Sequence, residues 1–259
     1  MIRISVVDFL NARPLVWGLL HDPPPGVSVS RDLPSVCADK LARGEADVGL
    51  VPSIEYQRIP SLRILPGLGI AASSEVRSVL LVADVSREKI RSVSLDPASR
   101  TSAVLTRLLL KRRYGLEPRY FEGGGEADAR LVIGDPALKA RLNGHVVLDL
   151  AAEWRAFSGH PFVFAFWAVA PGVPAEGMSG LLRASYEAGR RDLGRLVREE
   201  AASSGFSAAV IEDYLRHSLH YELDSGDLAG LELFYRLAAE DGLIPAPRPL
   251  EFLGSSDLR

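Results

Sequence analysis

Short apolar runs alternate along the chain with longer stretches whose apolar positions fall three and four apart. This is the pattern of buried strands followed by amphipathic helices. Ile2-Arg3-Ile4-Ser5-Val6-Val7-Asp8 predicts a first strand, and Ile90-Arg91-Ser92-Val93-Ser94-Leu95-Asp96 echoes it. Each run ends at a turn-forming aspartate and leads through a polar loop into a helix. In the first copy Asn11 lies in the loop, and Leu15, Val16, Leu19 and Leu20 make the apolar face. In the second, Ser99–Ser102 precede Ala103, Val104, Leu105, Leu108, Leu109 and Leu110. Asn, Ser and Thr side chains accept from the free amides of a helix start, so they are expected here as caps. A second echo follows in the same order. Gly44-Glu45-Ala46-Asp47 leads into Val48-Gly49-Leu50-Val51-Pro52, and Gly125-Glu126-Ala127-Asp128 leads into Leu131-Val132-Ile133-Gly134-Asp135-Pro136. Each is a turn, a buried strand and a proline suited to a first helical turn. Strand, helix, strand, helix and strand, twice over, predict two similar α/β lobes with mostly parallel sheets.

Two further apolar strands, Ser78–Ala83 and Phe162–Val169, fall where the lobes should join. Two such crossings predict a discontinuous first lobe, residues 1–82 plus 170–259, with 83–169 inserted as the second. After Pro171 the stretches 184–204 and 227–243 are amphipathic helices, and Gly242 and Pro245 stop the last one. The tail from Pro247 is expected to lie on the surface. Ligands of open α/β sheets collect beyond the carboxyl ends of the strands. The loops 8–14, 52–54, 96–102 and 134–137 should therefore face one cleft. Their helix starts offer free N–H groups and partial positive charge, which suits a small ligand with more than one anionic group.

The chain has 259 residues, enough for one to two domains. Its 47% hydrophobic and 24% charged residues are globular proportions that exclude disorder of the whole chain. Thirty Lys and Arg against 33 Asp and Glu leave a formal charge of −3, without the basic excess a nucleic-acid partner calls for. No apolar run is long enough to span a bilayer. The opening MIRISVVDFLNARP, interrupted by Asp8 and Asn11, lacks the form of a secretory signal, so the expected location is the cytoplasm. The single Cys37 excludes an internal disulfide and a cysteine-based metal site; it is expected as a packed thiol. No phosphate-loop lysine motif, dinucleotide glycine fingerprint or Gly-x-Ser-x-Gly elbow occurs. Gly123-Gly124-Gly125 is expected as a flexible connection. His217 and His220 lack an acidic partner pattern and are assigned structural or surface roles. Phe162, Phe164, Phe166 and Trp167 alternate across a strand, as core residues do, and Arg112-Arg113 and Arg190-Arg191 are expected as solvated helix ends.

Phe9-Leu10-Asn11-Ala12-Arg13-Pro14-Leu15 resembles the opening Y-L-N-(T/A)-x-P-L motif of a known family. Gly44–Pro52 is similar to its second motif. Val76–Leu81, Ser99-Arg100-Thr101-Ser102, Ile133–Leu138, Glu153-Trp154-Arg155 and Pro161–Ala165 extend the match in order over residues 2–170. The family is the chorismate dehydratases of the futalosine route to menaquinone. GEADVGL alone recurs across binding proteins; the ordered set is what is specific. The resemblance implies a type II periplasmic-binding-protein fold working inside the cell, and a hydro-lyase converting chorismate to 3-[(1-carboxyvinyl)oxy]benzoate and water. It implies no metal or organic cofactor, a small dianionic substrate, no nucleic-acid or membrane partner, and a monomer or weak homodimer. It assigns Asn11 and Ser78 to the reacting centre. Thr101 and Ser102 become carboxylate binders at a helix start, joined by Arg77, Ser99 and Phe164 from the matched blocks, with Gly134 and Asp135 opposite. The family's usual tyrosine is Phe9 here, which puts a hydroxyl role at that place in doubt. Arg13 takes a variable position and is not assigned. For the proton-abstracting base two groups stand, Asp135 and the substrate's own enolpyruvyl carboxylate; the scarcity of bases in the matched motifs favours the second. The competing readings are the sister enzyme that forms 1,4-dihydroxy-6-naphthoate, a non-catalytic small-anion solute-binding protein, and a regulatory effector-binding lobe.

Overall fold

The computed structural model describes residues 1–173 and 177–253. The first repeat runs β1 (Ile2–Val7), a 3-10 turn at Leu10–Ala12, α1 (Arg13–His21), β2 (Val27–Asp32), α2 (Pro34–Ala42), β3 (Val48–Pro52), α3 (Glu55–Arg58) and β4 (Arg63–Ala72). The second runs β5 (Val79–Ala83), β6 (Ser92–Leu95), α4 (Arg100–Tyr114), β7 (Arg119–Glu122), β8 (Ala129–Ile133), α5 (Gly134–Lys139), β9 (Val146–Asp149) and α6 (Leu150–Ser158). The chain returns through β10 (Phe162–Val169) to α7 (Met178–Arg191), α8 (Leu193–Ser204), α9 (Ala208–Asp213), a π-helical turn at Tyr214–Ser218, β11 (His220–Glu222) and α10 (Ser225–Glu240).

Two sheets form, ordered β11-β4-β10-β3-β1-β2 and β9-β5-β8-β6-β7. Five places coincide between them: β4 with β9, β10 with β5, β3 with β8, β1 with β6 and β2 with β7. β1 pairs parallel with β2 and β3, as β6 does with β7 and β8. The duplication extends to single hydrogen bonds. Asp47 accepts from the Arg3 amide at 2.7 Å, and Asp128 accepts from the Arg91 amide at 2.8 Å. The carbonyls of the same two aspartates accept from Ala170 and Asp84 N–H, both at 2.9 Å. The repeated Gly-Glu-Ala-Asp thus has a mechanical use: its aspartate ties the foot of the first strand of each lobe to the foot of the third. At the other end Ser53 N–H donates to Phe164 O and Gly134 N–H donates to Ser78 O. Ser78 and Phe164 therefore occupy matching places in the two halves.

The sheets are mixed. Each repeat supplies a parallel set of three strands, and the rest of each sheet is antiparallel. β5, expected to close the first lobe, lies inside the second sheet between β8 and β9. β10, expected in the insert, lies inside the first between β3 and β4. The crossings are at 73–78 and 159–161, not at 82 and 170. Every residue of both strands is buried, and a strand covered on both faces carries no alternation to say which sheet it joins.

One continuous apolar core runs through both sheets and their helices. Trp154 donates its indole N–H to Pro161 O at 3.0 Å, and its ring meets Phe162 and Phe234 edge-on. Phe162, Phe166 and Trp167 are core residues, as the alternation predicts. α1 and α7 lie in close contact at Gly18 and Gly189, and Ser185 Oγ donates to Leu15 O at 2.8 Å. Cys37 is buried; burial pushes its thiol up to about 12, and it is inert at neutral pH. His220 pairs with Asp227 at 2.8 Å inside the capping box of α10, a structural role. Arg112 is not a solvated end. It holds Asp241 at 2.7 Å, joining α4 to the end of α10. The described part of the tail, residues 247–253, lies along the surface and is held there. The Arg248 guanidinium lies 3.5 Å over the Tyr56 ring and donates to the Tyr56 and Leu62 carbonyls, while Ile64 N–H donates to Glu251 O. Its last six residues, 254–259, lie outside the described residues.

Candidate active site

The loops that follow the repeated strands line one cavity between the sheets. Val7, Phe9 and Asn11 come from the end of β1 and its loop, Ser99 from the loop after β6, and Thr101 and Ser102 from the first turn of α4. Pro52 ends β3, and Ile133 and Gly134 stand where β8 becomes α5. Ser78 and Phe164, the matched pair from the two crossings, complete the middle of the wall. The cavity encloses about 50 Å³, less than the usual small-molecule site. Its polar side chains are all neutral: the Asn11 amide and the hydroxyls of Ser78, Ser99, Thr101 and Ser102. Among the described residues, no Asp, Glu, His, Lys or Arg lines it.

Asn11 sits inside the 3-10 turn. Neither that turn nor α1 has a side-chain cap bond, so the expected capping role is absent. Its Oδ1 is buried without a hydrogen-bond partner. Buried amide oxygens are nearly always paired, so this one is a candidate contact for a ligand in the cavity. Ser99 stands at the N-cap position of α4 but makes no cap bond either; its hydroxyl donates to Ser102 Oγ at 2.7 Å. The first-turn amides of this 15-residue helix therefore have no side-chain cap. Thr101 Oγ1 accepts from Ile54 N–H at 3.1 Å.

Ser78 is fully buried. Its Oγ accepts from the Tyr214 hydroxyl at 2.7 Å. The preceding Arg77 has a left-handed backbone, φ 59°, which only Ser61 shares among the described non-glycine residues. Asp149 holds that conformation: its carboxylate accepts from Val76 N–H at 3.1 Å and Arg77 N–H at 2.7 Å, and it also caps α6. Burial raises the Asp149 carboxyl, against the pull of those N–H groups. Arg77 was expected at the substrate, but its guanidinium reaches Ser218 Oγ at 2.8 Å and Asp213 at 2.7 Å, outside the cavity. The left-handed turn at 77 sends successive side chains to different sides.

Asp135 also lies outside the cavity wall. Its Oδ1 accepts from Leu10 N–H at 3.0 Å across the cleft. Burial raises its carboxyl, opposed by that N–H and by the charge of Arg13. Gly134 faces the Phe9 ring so closely that a Cβ would stand 2.9 Å from it, with φ +64°. The Phe9 ring is thus seated face-on over a bare Cα. The lobes meet again where Arg100 pairs with Asp39 at 2.8 Å and with buried Glu55 at 3.3 Å. Tyr214 and Asp149 are the two residues the sequence reading missed. No local pattern marks Tyr214, which arrives from 136 positions away.

A family model described as menaquinone biosynthesis matches residues 2–240. The chain belongs to the menaquinone biosynthesis family. Among its relatives is a chorismate dehydratase of Thermus thermophilus, 33% identical over 236 residues, covering 81% of this chain and 86% of that one. A chorismate dehydratase of Campylobacter jejuni is 31% identical over 165 residues, 61% of this chain and 63% of the other. In fold this menaquinone biosynthesis family member resembles a solved protein of Archaeoglobus fulgidus, with TM-score 0.79 at 16% identity over 94% and 98% of the two chains. It also resembles the periplasmic aliphatic sulphonate-binding protein of Escherichia coli, with TM-score 0.64 at 19% identity over 98% and 94%. The fold is the periplasmic-binding-protein type, as the repeats and motifs predicted. No helix among the described residues is long and apolar enough to cross a membrane.

Proposed function

We propose that the protein is a hydro-lyase that converts chorismate to 3-[(1-carboxyvinyl)oxy]benzoate and water, in the cytoplasm, on the futalosine route to menaquinone. It would act without cofactor, as a monomer or weak homodimer. Membership of the menaquinone biosynthesis family and likeness to two chorismate dehydratases support the reaction. The observation that carries the site is the unpartnered Asn11 amide beside Ser78 in a cavity of neutral donors.

The substrate's two carboxylates need donors, and the first turn of α4 with Thr101 and Ser102 supplies them at one end. The reacting ring hydrogen lies on the ether-bearing carbon, conjugated through a double bond to the ring carboxylate. Breaking that C–H bond delivers its electron pair into the conjugated system as a dienolate. The neighbouring C–O bond then breaks, the departing oxygen takes up a proton as water, and the ring becomes aromatic. The protein holds this geometry and stabilises the growing charge with fixed neutral dipoles. Asn11 offers both a donor and an acceptor to the ring hydroxyl. A base must reach the proton within about 3 Å. Asp135 is committed to Leu10 N–H outside the wall, so the substrate's enolpyruvyl carboxylate takes that part.

Asp135→Asn separates the two candidate bases. The amide oxygen can still accept from Leu10 N–H, so kcat is expected to stay within about threefold of the native enzyme. A loss of several orders of magnitude with unchanged KM would make Asp135 the base. The pH dependence adds a sign. The native carboxyl is raised above its ordinary 3.8, so the stability it contributes is complete below that value and is lost as pH rises through the folded-state pKa. Asp135→Asn should melt slightly higher than the native protein at pH 7, with the gain vanishing in acid.

The reading itself is tested by incubating the purified protein with chorismate and following the reaction by chromatography and mass spectrometry. Turnover to an aromatic enolpyruvyl benzoate lighter by one water supports it. Intact chorismate sinks it and turns attention to the sister naphthoate-forming activity, then to ligand binding without turnover.

A further inference from the structure

Tyr214 does not line the cavity, yet it touches the one hydroxyl in the middle of its wall. It opens the π-helical turn Tyr214–Ser218, an arrangement found often at functional sites. Its ring is buried, and its hydroxyl donates to Ser78 Oγ at 2.7 Å. Among the described residues Ser78 Oγ has no other hydrogen-bond partner. A serine hydroxyl has one proton and two lone pairs. With one lone pair occupied from behind by Tyr214, the serine proton is free to point into the cavity that Ser78 lines.

The same turn grips the neighbouring residue. Ser218 of the turn and Asp213, the last residue of α9, hold the Arg77 guanidinium, which lies 5.9 Å over the Tyr214 ring. Asp149 holds the Arg77 and Val76 amides from the other lobe. Residues 76–78, with their left-handed kink, are thus clamped from both sides, and strained backbone survives only where its surroundings over-determine it. Burial alone does not explain the tyrosine's pairing. Tyr221, also buried, keeps a hydroxyl without a partner.

We propose that Tyr214 is a positioning residue for the dehydration: by filling one lone pair of Ser78 Oγ, it aims the Ser78 proton at the oxygen that leaves the substrate ring. The proposal rests on the dehydratase reading above. No bond of Tyr214 breaks. The serine donates a hydrogen bond to the departing oxygen, and the proton that completes water comes from the substrate carbon by way of the base.

The test is a cycle of four enzymes: native, Tyr214→Phe, Ser78→Ala and the double variant. Phenylalanine keeps the ring and its contact with Arg77. Tyr214→Phe should lower kcat about tenfold, the loss of one directed hydrogen bond, with KM within about twofold. In the Ser78→Ala background the same change should move kcat less than about twofold, since no hydroxyl is left to aim. A packing role predicts equal losses in both backgrounds, and that result overturns the proposal, as does an unchanged kcat in Tyr214→Phe. A Ser78→Ala enzyme as fast as the native one overturns the proposal alone; a native enzyme that leaves chorismate intact removes the functional reading along with it. Should Tyr214→Phe fail to fold, 3-fluorotyrosine at position 214 keeps the ring and strengthens the donor. It should raise kcat only where Ser78 is present, and equal effects with and without Ser78 would count against positioning.

Discussion

Asn11→Ala lowers kcat for chorismate by about 10²–10³-fold and leaves the melting temperature unchanged or slightly higher. The kinetic loss is that of one fixed dipole aimed at a reacting group in a site shielded from water. The stability argument runs the opposite way. In the native fold Oδ1 is buried without a partner, and such an orphan acceptor costs about 1–3 kcal/mol. Removing it breaks no hydrogen bond within the protein. Most alanine substitutions at buried polar positions lose activity and stability together; this one should separate them, as expected where function and stability are traded against each other. Initial rates and differential scanning calorimetry on the same preparation decide the matter. A kcat within threefold of native would remove Asn11 from the site, and a marked fall in melting temperature would show that it supports the fold.

Gly189→Ala and Gly180→Ala, nine positions apart in α7, should move stability in opposite directions. Helix propensity alone favours alanine at both by about 1 kcal/mol. At Gly180 nothing lies within 4 Å of the added Cβ, so that gain should be realised. At Gly189 the Cβ would stand 2.2 Å from Pro14 O and 2.9 Å from Pro14 C, both backbone atoms of α1. Overpacking against backbone costs about 3 kcal/mol, which outweighs the propensity gain and leaves a net loss of about 2 kcal/mol. In a chain of this size that lowers the melting temperature by about 4–8 °C, against a rise of about 2–4 °C for Gly180→Ala. Pro14 follows Asn11 by three residues, so pushing α1 away should also raise KM for chorismate. Thermal melts of the two variants side by side check the signs; two rises would mean that the helices separate without resistance.

The sequence carried the repeat because the repeat is built from short-range devices. An aspartate after Gly-Glu-Ala binds the neighbouring strand's foot in both lobes, and that spacing survives in the letters. It carried the positions of the site loops for the same reason: a strand end followed by a helix start is a local event. The sheet membership of β5 and β10 was illegible, since strands buried on both faces look alike wherever they go. Asn11 and Ser99 were legible as helix-start residues, but their side chains decline the caps that residue type predicts, and only three-dimensional placement shows that the Asn11 oxygen is buried without a partner. Arg77 and Asp135 stood in matched motifs, yet a left-handed kink turns the first away from the cavity and an amide across the cleft claims the second. Tyr214 had no local mark because the geometry that brings it to Ser78 belongs to the packing of the whole chain.

The unequal way the two sheets are assembled sets an order of events during synthesis. All five strands of the second sheet lie within residues 79–149, so that half can complete its pairing as soon as it leaves the ribosome. The first sheet cannot. β3 and β4 are not neighbours; the strand between them, Phe162–Val169, is made about a hundred residues after β3. Until it arrives, β3 has one edge unpaired and β4, whose other neighbour β11 comes later still, has both, the kind of surface that associates with other chains. The inserted lobe thus matures first, and β10 closes the older half around a partner already folded.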